Sequence, residues 1–436
     1  MKDQITNSNY SKVLDVDGIK VLYNYNTTNK IYMLRPTFTA GALIENDQNC
    51  GVTHFLEHLL FYKSKNYTKE QFAKIKQDLF PRYNASTSGR RMDMMCKSQM
   101  KNLEDGFKYS AEAILNFDID DEKINTERYV IEQEFIMYDD DDYYKSVDIA
   151  EKNMCKHSYF QNGTIGTRES ILSLTKQDLL DKYNELACKE NFLLAFSGPA
   201  SEEEVIRLTK KYYSPLKNSK KLSIPTNLKF NNNTTVEFLK NDKDKCSVTL
   251  LLPINENADT SLYASVLRNV FTNNFLSQNC DLWNKLRKEN GLVYSYFATL
   301  NNTSNLTLIP FRFETSRQNI KECLSIFASI LNNLLENGLT DEQFQSAKNA
   351  HEFYLDSLIL SSSTSVSLNI ASYLNYDQLY SLDKEMEILN NLTATTFNQE
   401  LSKLKPKSCH LAVVGNVEKE DLPTTEELNS MFNITQ

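Results

Sequence analysis

Residues 175–205, TKQDLLDKYNELACKENFLLAFSGPASEEEV, predict a helix, a short connection, an apolar strand and a glycine turn into another helix. The same order returns in residues 390–422, NNLTATTFNQELSKLKPKSCHLAVVGNVEKEDL. In both copies a Leu-Thr pair begins the helix, and the spacing agrees, with 23 positions for Thr175–Gly198 and 22 for Thr393–Gly415. The repeat predicts duplication of an α+β unit of about 200 residues, which is too long for a solenoid repeat.

Further segments follow the same alternation of strands and helices. Early strands are predicted at GIKVLYNYN (18–26) and IYMLRPTFTAG (31–41), which are rich in β-branched and aromatic residues. Helices are predicted at EDGFKYSAEAILNF (104–117) and across DEKINTERYVIEQEFIMYD (121–139), where apolar residues recur at helical spacing. The predicted fold is α+β: two homologous, α/β-sandwich-like domains, each with a mostly antiparallel sheet covered by helices.

The two domains are expected to meet at a polar, lysine-rich stretch near residues 216–234. Its sequence, LKNSKKLSIPTNLKFNNNT, has the composition of a linker. We therefore predict an N-terminal domain at residues 1–220 and a C-terminal domain at residues 221–436. A chain of 436 residues is long enough to give each domain its own core.

Composition and charge favour an ordinary globular protein. The chain is 41% hydrophobic and 24% charged, with a net charge of −9 and scattered basic residues. Nucleic-acid binding is disfavoured because phosphate neutralisation requires a concentrated basic patch. Membrane insertion is disfavoured because no apolar run approaches the roughly 18 residues that a span requires. The N-terminal MKDQITNSNYSKV has no apolar signal core and no Arg, so a cytoplasmic location is expected.

The stretch GVTHFLEHLLFYKS (51–64) holds two of the five histidines with an acid between them. Helical residues are about 100° apart, so His54 and His58 lie one turn apart on one face, where both imidazoles can reach one ion. Glu57 lies beside them, close enough to hold a water without ligating the ion. This HxxEH order with an open coordination position is typical of hydrolytic zinc sites. The alternative is two helical histidines satisfied by solvent or core partners.

A third ligand is expected among the acids of TERYVIEQEFIMYDDDD (126–142). Glu127 and Glu134 are seven positions apart and share one helical face, whereas Glu132 points about 160° away from Glu134. A ligand and a supporting acid on one face suit a zinc site. The spacing selects the pair and leaves open which of the two acids binds the metal.

The eight cysteines include no CxxC pair, which favours reduced thiols over a disulfide framework or a zinc cluster. Cys50 precedes His54 by four positions and could ligate a metal in principle. An ordinary buried thiol is the favoured interpretation of Cys50, because free cysteines are among the most buried residues.

The stretch AGALIENDQNCGVTHFLEHLLF (40–61) resembles the signature of the pitrilysin, or insulinase-like, zinc metallopeptidases, in particular their short two-domain type with its processing-peptidase subunits and bacterial homologues. In that family the third ligand is a Glu about 75 residues after the second His. Glu134 follows His58 by 76 positions, so the resemblance makes Glu134 the ligand and Glu127 its non-ligating support. The positions that match the signature are Gly41, Glu45, Gly51, His54, Glu57, His58 and Phe61.

Two further segments resemble the family. RYNASTSGRRMDMM (82–95) is similar to its edge strand, in which Asn84 and Ala85 present backbone groups to an extended peptide by β-augmentation. LWNKLRKENGLVYSYFATL (282–300) is similar to its substrate-binding segment. Arg287 and Tyr294 are seven positions apart, two turns if helical, and are suitable donors for an oxyanion and a peptide carbonyl.

The resemblance implies a zinc endopeptidase with one Zn²⁺ per chain and Glu57 as general base. It also implies that each chain is half of a clamshell, so that two chains, as a homodimer or with a related chain, enclose a chamber for unfolded peptides such as leader or signal-like segments. Arg287 and Tyr294 then act in cis or in trans. The alternatives are a non-catalytic assembly subunit of the same fold and a zinc hydrolase for a non-peptide bond.

The remaining histidines, His157, His351 and His410, lack a partner at ligand spacing and are interpreted as structural. The acidic run Asp139–Asp142 could attract a basic substrate, but a solvated helix end is the favoured interpretation.

Overall fold

The structure, a computed structural model, describes residues 10–28, 30–256, 259, 261–277, 280–303, 306–358 and 361–434. The strands in chain order are β1 (Tyr10–Val16), β2 (Ile19–Tyr25), β3 (Ile31–Phe38), β4 (Asn84–Thr87), β5 (Met92–Gln99), β6 (Phe192–Gly198), β7 (Thr235–Lys240), β8 (Lys245–Asn255), β9 (Tyr296–Ala298), β10 (Asn301–Thr303), β11 (Leu306–Ser316) and β12 (His410–Gly415).

The α-helices complete the list of elements. They are α1 (Val52–Leu59), α2 (Lys69–Leu79), α3 (Leu103–Leu115), α4 (Asp121–Asp140), α5 (Asp142–Met154), α6 (Ser158–Asn162), α7 (Arg168–Ser173), α8 (Lys176–Leu186), α9 (Glu202–Tyr213), α10 (Leu262–Leu276), α11 (Asp281–Trp283), α12 (Ile320–Asn337), α13 (Asp341–Ser357), α14 (Ser362–Tyr376), α15 (Leu382–Asn391), α16 (Ala394–Leu401) and α17 (Thr425–Met431).

The described residues form two sheets of six strands, which share the order of five strands: β2-β6-β3-β5-β4 corresponds to β7-β12-β8-β11-β10. The first has the order β1-β2-β6-β3-β5-β4, and the second has β10-β11-β8-β12-β7, with β9 also paired to β11. Each sheet has one parallel pair, β2 with β6 and β7 with β12, and antiparallel pairs elsewhere. The predicted mostly antiparallel sheets, covered by helices, are confirmed.

The segments that identified the duplication form the predicted elements. Thr175 caps α8 and Thr393 caps α16, each through a reciprocal capping box with the third helical residue. Such boxes satisfy two of the free N–H groups at a helix start. The apolar runs that follow are β6 and β12, and all their residues are buried.

The chain packs as two compact units, and neither is continuous in sequence. Unit 1 comprises residues 1–134, 162–225 and 359–380, and unit 2 comprises residues 135–161, 226–358 and 381–436. The contiguous division at residue 220 therefore differs from the packing in two segments. The expected linker holds no helix or strand between α9 and β7 in this fully described stretch.

The two exchanged segments each supply a helix that covers one sheet. In unit 1, Val366 and Ile370 of α14 pack on a cluster with Leu22, Met33 and Leu193. In unit 2, α5 packs on β8 and β12. Both helices bury apolar or small side chains, so each sheet gains a covered face and a closed core.

Candidate metal centre

The helix that carries the histidines begins at an acid-capped glycine. The carboxylate of Glu45 accepts hydrogen bonds from the N–H groups of Gly51, at 2.7 Å, and Thr53, at 2.8 Å. These bonds satisfy free N–H groups at the start of α1 without a side-chain cap from the preceding residue. Burial raises the pKa of the Glu45 carboxyl, and the two N–H groups oppose that rise.

Glycine is required at residue 51 for two reasons. Its φ is +84°, which L side chains rarely adopt, and a Cβ there would lie 2.3 Å from the carbonyl oxygen of Ile165. Gly166 packs equally closely against the same loop, since a Cβ at this position would lie 2.4 Å from the Cys50 carbonyl oxygen. Ser170 donates to that same oxygen at 2.7 Å. These backbone contacts fix the direction in which α1 leaves the loop.

Three side chains of unit 1 converge where α1 meets α4. His54 Nε2 and His58 Nε2 each lie 3.7 Å from Glu134 Oε2, and one ligand atom from each residue lies within 4.8 Å of the others. His58 Nδ1 lies 3.0 Å from Glu127 Oε2. The structure thus brings both acids of the α4 face to the histidines, Glu134 at the shared position and Glu127 behind His58.

Electrostatics differ between the two imidazoles. Burial, aided by the neighbouring His58, lowers the pKa of His54 to about 4, so this ring is neutral near pH 7. Burial also works to lower the pKa of His58, but Glu127 and Glu134 outweigh it and raise that pKa to about 9. A cation that binds at Nε2 of His58 therefore replaces a proton.

The donor set fits a zinc ion. Two imidazole nitrogens and one carboxylate oxygen are the ligands of hydrolytic zinc sites, which keep a further position open. Because Glu127 occupies Nδ1 of His58, that ring is held with Nε2 directed at Glu134. His54, His58 and Glu134 would hold the ion.

Two alternatives from the sequence lie outside this group. Glu132 pairs with Arg168, at 3.4 Å between Oε1 and Nε. The buried thiol of Cys50 contacts the carbonyl oxygen of Asp47 at 3.6 Å, as expected for an ordinary buried cysteine. All eight cysteines are free thiols.

Glu57 is half-buried beside the histidines and is held from β4. Thr87 Oγ1 donates a hydrogen bond to Glu57 Oε2 at 3.1 Å. Burial raises the pKa of Glu57, while His58 and Thr87 act to lower it. A carboxylate with a raised pKa accepts a proton more readily near neutral pH.

The strand β4 lies at one end of the first sheet, as expected for an edge strand. It pairs with β5 through Asn84↔Met95 and Ala85↔Met94, and among the described residues no strand pairs with its other side. Asn84 is exposed and Ala85 is half-buried. An open strand of this kind presents free backbone groups.

Arg287 and Tyr294 belong to unit 2, and they do not share one helix as the spacing of seven suggested. Arg287 lies in a π-helical turn, Asn284–Glu289, and the chain leaves it through Gly291 at φ +61°. The guanidinium carbon lies 4.8 Å from the ring centre of Trp283 and 4.6 Å from that of Tyr294. Arg287 Nη1 also donates a hydrogen bond to the Tyr294 carbonyl oxygen, and Tyr294 is 81% exposed.

The other histidines have structural partners. Nδ1 of His157 accepts a hydrogen bond from the N–H of Tyr159 at 3.2 Å. The buried His351 lies 3.4 Å from Glu385. Burial lowers the pKa of His410 to about 4 within β12.

The acidic run mainly forms helix ends. α4 ends at Asp140, and Asp141 caps α5 by accepting the N–H of Tyr143 at 2.8 Å. Asp142 is buried and lies 3.0 Å from Lys243. This arrangement agrees with the helix-end interpretation, apart from the burial of Asp142.

The contacts of three residues around the centre were not predicted from the sequence. Thr87 lies two positions after Ala85 in β4, so period-two alternation could have placed both on one face. Lys123 lies one turn before Glu127 and pairs with its other oxygen. Glu45 matched a signature, but its capping of α1 has no local sequence signal.

The duplicated α+β architecture carries, in one unit, a His–His–Glu cluster with the ligand set of hydrolytic zinc sites. Residues 20–167 match the family model described as insulinase, peptidase family M16, and residues 173–350 match the model described as peptidase M16 inactive domain. The chain belongs to the insulinase family of peptidases, as the sequence signature predicted.

Relatives span this chain to different extents. An uncharacterised zinc protease of Mycobacterium leprae is 21% identical over 398 residues, which cover 90% of this chain and 88% of the relative. A probable mitochondrial-processing peptidase subunit beta of Arabidopsis thaliana is 23% identical, over 46% of this chain and only 38% of its own length. A solved protease structure from Helicobacter pylori has a TM-score of 0.80 at 19% identity, with 93% of this chain and 99% of that chain covered. That structural likeness shows the fold.

Within the described residues, no helix is both long enough and apolar enough to cross a membrane.

Proposed function

We propose that this chain is a zinc-dependent endopeptidase for unfolded peptides. The observation that carries the proposal is the convergence of His54, His58 and Glu134, with ligand atoms within 4.8 Å of one another and Glu57 alongside. Zinc proteases among the relatives support it. A cytoplasmic location stays a prediction from the N-terminal sequence.

The chain's own residues divide the work of hydrolysis. A zinc ion bound there supplies a Lewis acid that polarises a peptide carbonyl and lowers the pKa of water. Glu57 takes the proton of the attacking water and passes it to the leaving amine. Glu127 orients His58 through Nδ1.

The peptide is proposed to bind along β4 through the backbone groups of Asn84 and Ala85, which gives affinity with little sequence preference. Arg287 and Tyr294 are proposed to hold the peptide and stabilise the oxyanion. The exposure of Tyr294, at 81%, leaves its hydroxyl accessible for this role.

Glu57→Gln tests the assignment, because it keeps the shape of the side chain and removes the base. We expect unchanged zinc content and a loss of kcat of about 10²–10⁴-fold on a mixed peptide library read by mass spectrometry. Glu132→Gln, which alters a surface ion pair with Arg168, is the matched control and should retain activity. Wild-type turnover by Glu57→Gln would contradict the proposal.

The chamber is proposed to close between two chains, either two copies or this chain with a related one. Mixing Glu57→Gln with Tyr294→Phe chains tests the homodimer. Recovered activity indicates sites completed in trans, whereas a site that acts strictly in cis regains none.

The second candidate is a non-catalytic assembly subunit. The observation that supports this candidate is the match of residues 173–350 to a domain described as inactive. Purified protein that binds no zinc and cleaves no peptide in the library would support this candidate over the peptidase.

A further inference from the structure

The bond between Thr87 and Glu57 joins two parts of the site that have separate tasks. Thr87 is the last residue of β4, and its Oγ1 reaches Glu57 Oε2 of α1 at 3.1 Å. We propose that Thr87 is a positioning residue, which fixes the Glu57 carboxylate from the end of β4. This inference rests on the proposed function and adds a residue to it.

The strand directs neighbouring side chains to different partners. Side chains alternate along a strand, so Thr87 and Ser86 point to opposite faces of the sheet. Ser86 donates to Asp93 at 3.2 Å, within the buried ion pair of Asp93 with Arg35. Thr87 contacts Glu57 instead. A shift of β4 by one residue would exchange these partners, so the bond to Glu57 depends on the register of β4.

One short segment anchors the strand end that carries Thr87. The N–H of Ala42 donates to the carbonyl of Ser88 at 3.1 Å, and that of Leu43 donates to Gly89 at 2.8 Å. Gly41 allows this approach, since a Cβ there would lie 2.0 Å from the Ser88 oxygen. The residues directly after Thr87 are therefore held against residues 41–43.

The same segment continues into the cap of α1. The Glu45 carboxylate accepts hydrogen bonds from the N–H groups of Gly51, the residue before α1, and Thr53, in the first turn of α1. Because both the strand end and the helix start are tied to residues 41–45, the Thr87 hydroxyl and the Glu57 carboxylate meet at a fixed separation. A β-branched side chain adds to this, since Thr is restricted at χ1.

The hydroxyl should therefore affect turnover rather than binding. It holds one carboxylate oxygen of Glu57 and leaves the other for the proton of water. A misplacement of about 1 Å at a reacting group costs up to about 10²-fold in rate. The backbone groups of Asn84 and Ala85, which would bind the peptide, do not depend on the hydroxyl.

Thr87→Val tests the inference, because valine keeps the shape and removes the hydroxyl. We expect kcat to fall about tenfold to a hundredfold with KM within about twofold and zinc content unchanged. Thr87→Ser should restore kcat to within about threefold of wild type, because it returns the donor. Thr209→Val, a buried threonine of α9 whose hydroxyl bonds the Val205 carbonyl at 2.8 Å, is the matched control and should leave kcat unchanged.

Wild-type kcat in Thr87→Val, or no recovery in Thr87→Ser, overturns the inference while the Glu57→Gln result still supports the peptidase. If the wild-type protein cleaves no peptide, the proposed function fails separately. Crystal structures of zinc-loaded wild type and Thr87→Val then decide the positioning role. A displaced Glu57 carboxylate in the valine variant supports it, and an unmoved carboxylate overturns it.

Discussion

Helix α4, which belongs to unit 1 as far as Glu134, and helix α13 of unit 2 occupy matching places in the two repeats. Both begin with Asp-Glu, and both carry a basic residue seven positions later. Arg128 donates to the carbonyls of residues 171 and 174, just before capped helix α8. Lys348 donates to the carbonyls of residues 390 and 392, at 3.1 and 3.2 Å, just before capped helix α16. The two helices therefore align with an offset of 220 positions.

The same alignment shows where the units diverge. Glu127 corresponds to Ala347, and Glu134 corresponds to Tyr354. The face of α13 that corresponds to the histidine-facing side of α4 therefore carries neither carboxylate. In unit 2, His351 of α13 lies 3.4 Å from Glu385 of α15 in a buried pair. The comparison teaches that the two units share their sheets and helix caps, whereas the paired acids occur in the unit that carries the histidine cluster.

The largest expected effect concerns the acid that α13 lacks. Glu134→Gln removes the only negatively charged ligand of the three. We expect zinc affinity to fall by more than about a hundredfold, since mutation of residues that merely support metal ligands already lowers metal affinity about 10–100-fold. Competition with a chromophoric chelator measures it. Tyr354→Gln, at the matching position of unit 2, is the control and should leave zinc affinity unchanged. If both variants lost zinc affinity equally, Glu134 would not be distinguished from its counterpart Tyr354 as a metal ligand.

A smaller effect is expected at the buried pair of unit 2. His351→Ala removes a buried ring that lies 3.4 Å from Glu385, while Glu385 still accepts a hydrogen bond from Asn269 at 3.5 Å. The cavity and the lost contact should lower the free energy of unfolding by about 2 kcal/mol. Zinc affinity should not change, because the pair belongs to the other unit. Urea unfolding followed by circular dichroism provides the measurement. His157→Ala serves as the control and should cost less than about 1 kcal/mol.

The smallest effect should be equal in the two units. Thr175→Ala and Thr393→Ala each remove a capping box, and each should cost about 1 kcal/mol of unfolding free energy. The same urea experiment compares them. A difference above about 1 kcal/mol would show that the two repeats do not use their caps alike.

Much of the site followed from periodicity. The spacing of His54 and His58 and the seven-residue spacing of Glu127 and Glu134 fixed two helical faces, and the structure joins those faces. Spacing alone could not select between the two acids. The family resemblance assigned Glu134 to the metal, and the structure places it between both histidines.

Other features had no such signal. The spacing of Arg287 and Tyr294 suggested helical turns, but Gly291 takes a positive φ and ends the helical geometry between them. The bond from Thr87 to Glu57 depends on how β4 lies against α1, which no local pattern encodes. The exchange of α5 and α14 was also missed, because the apolar face of a helix does not specify which sheet it will cover.

That exchange imposes an order on synthesis. The last strand of the first sheet ends at Gly198, but α14, which covers that sheet, begins only at Ser362. At ~5–20 residues per second, the ribosome needs about 10–30 s to make the intervening chain. During that interval Leu22, Met33 and Leu193 lack the helix that shields them. The nascent chain thus carries an open apolar surface for which chaperone binding is the natural protection.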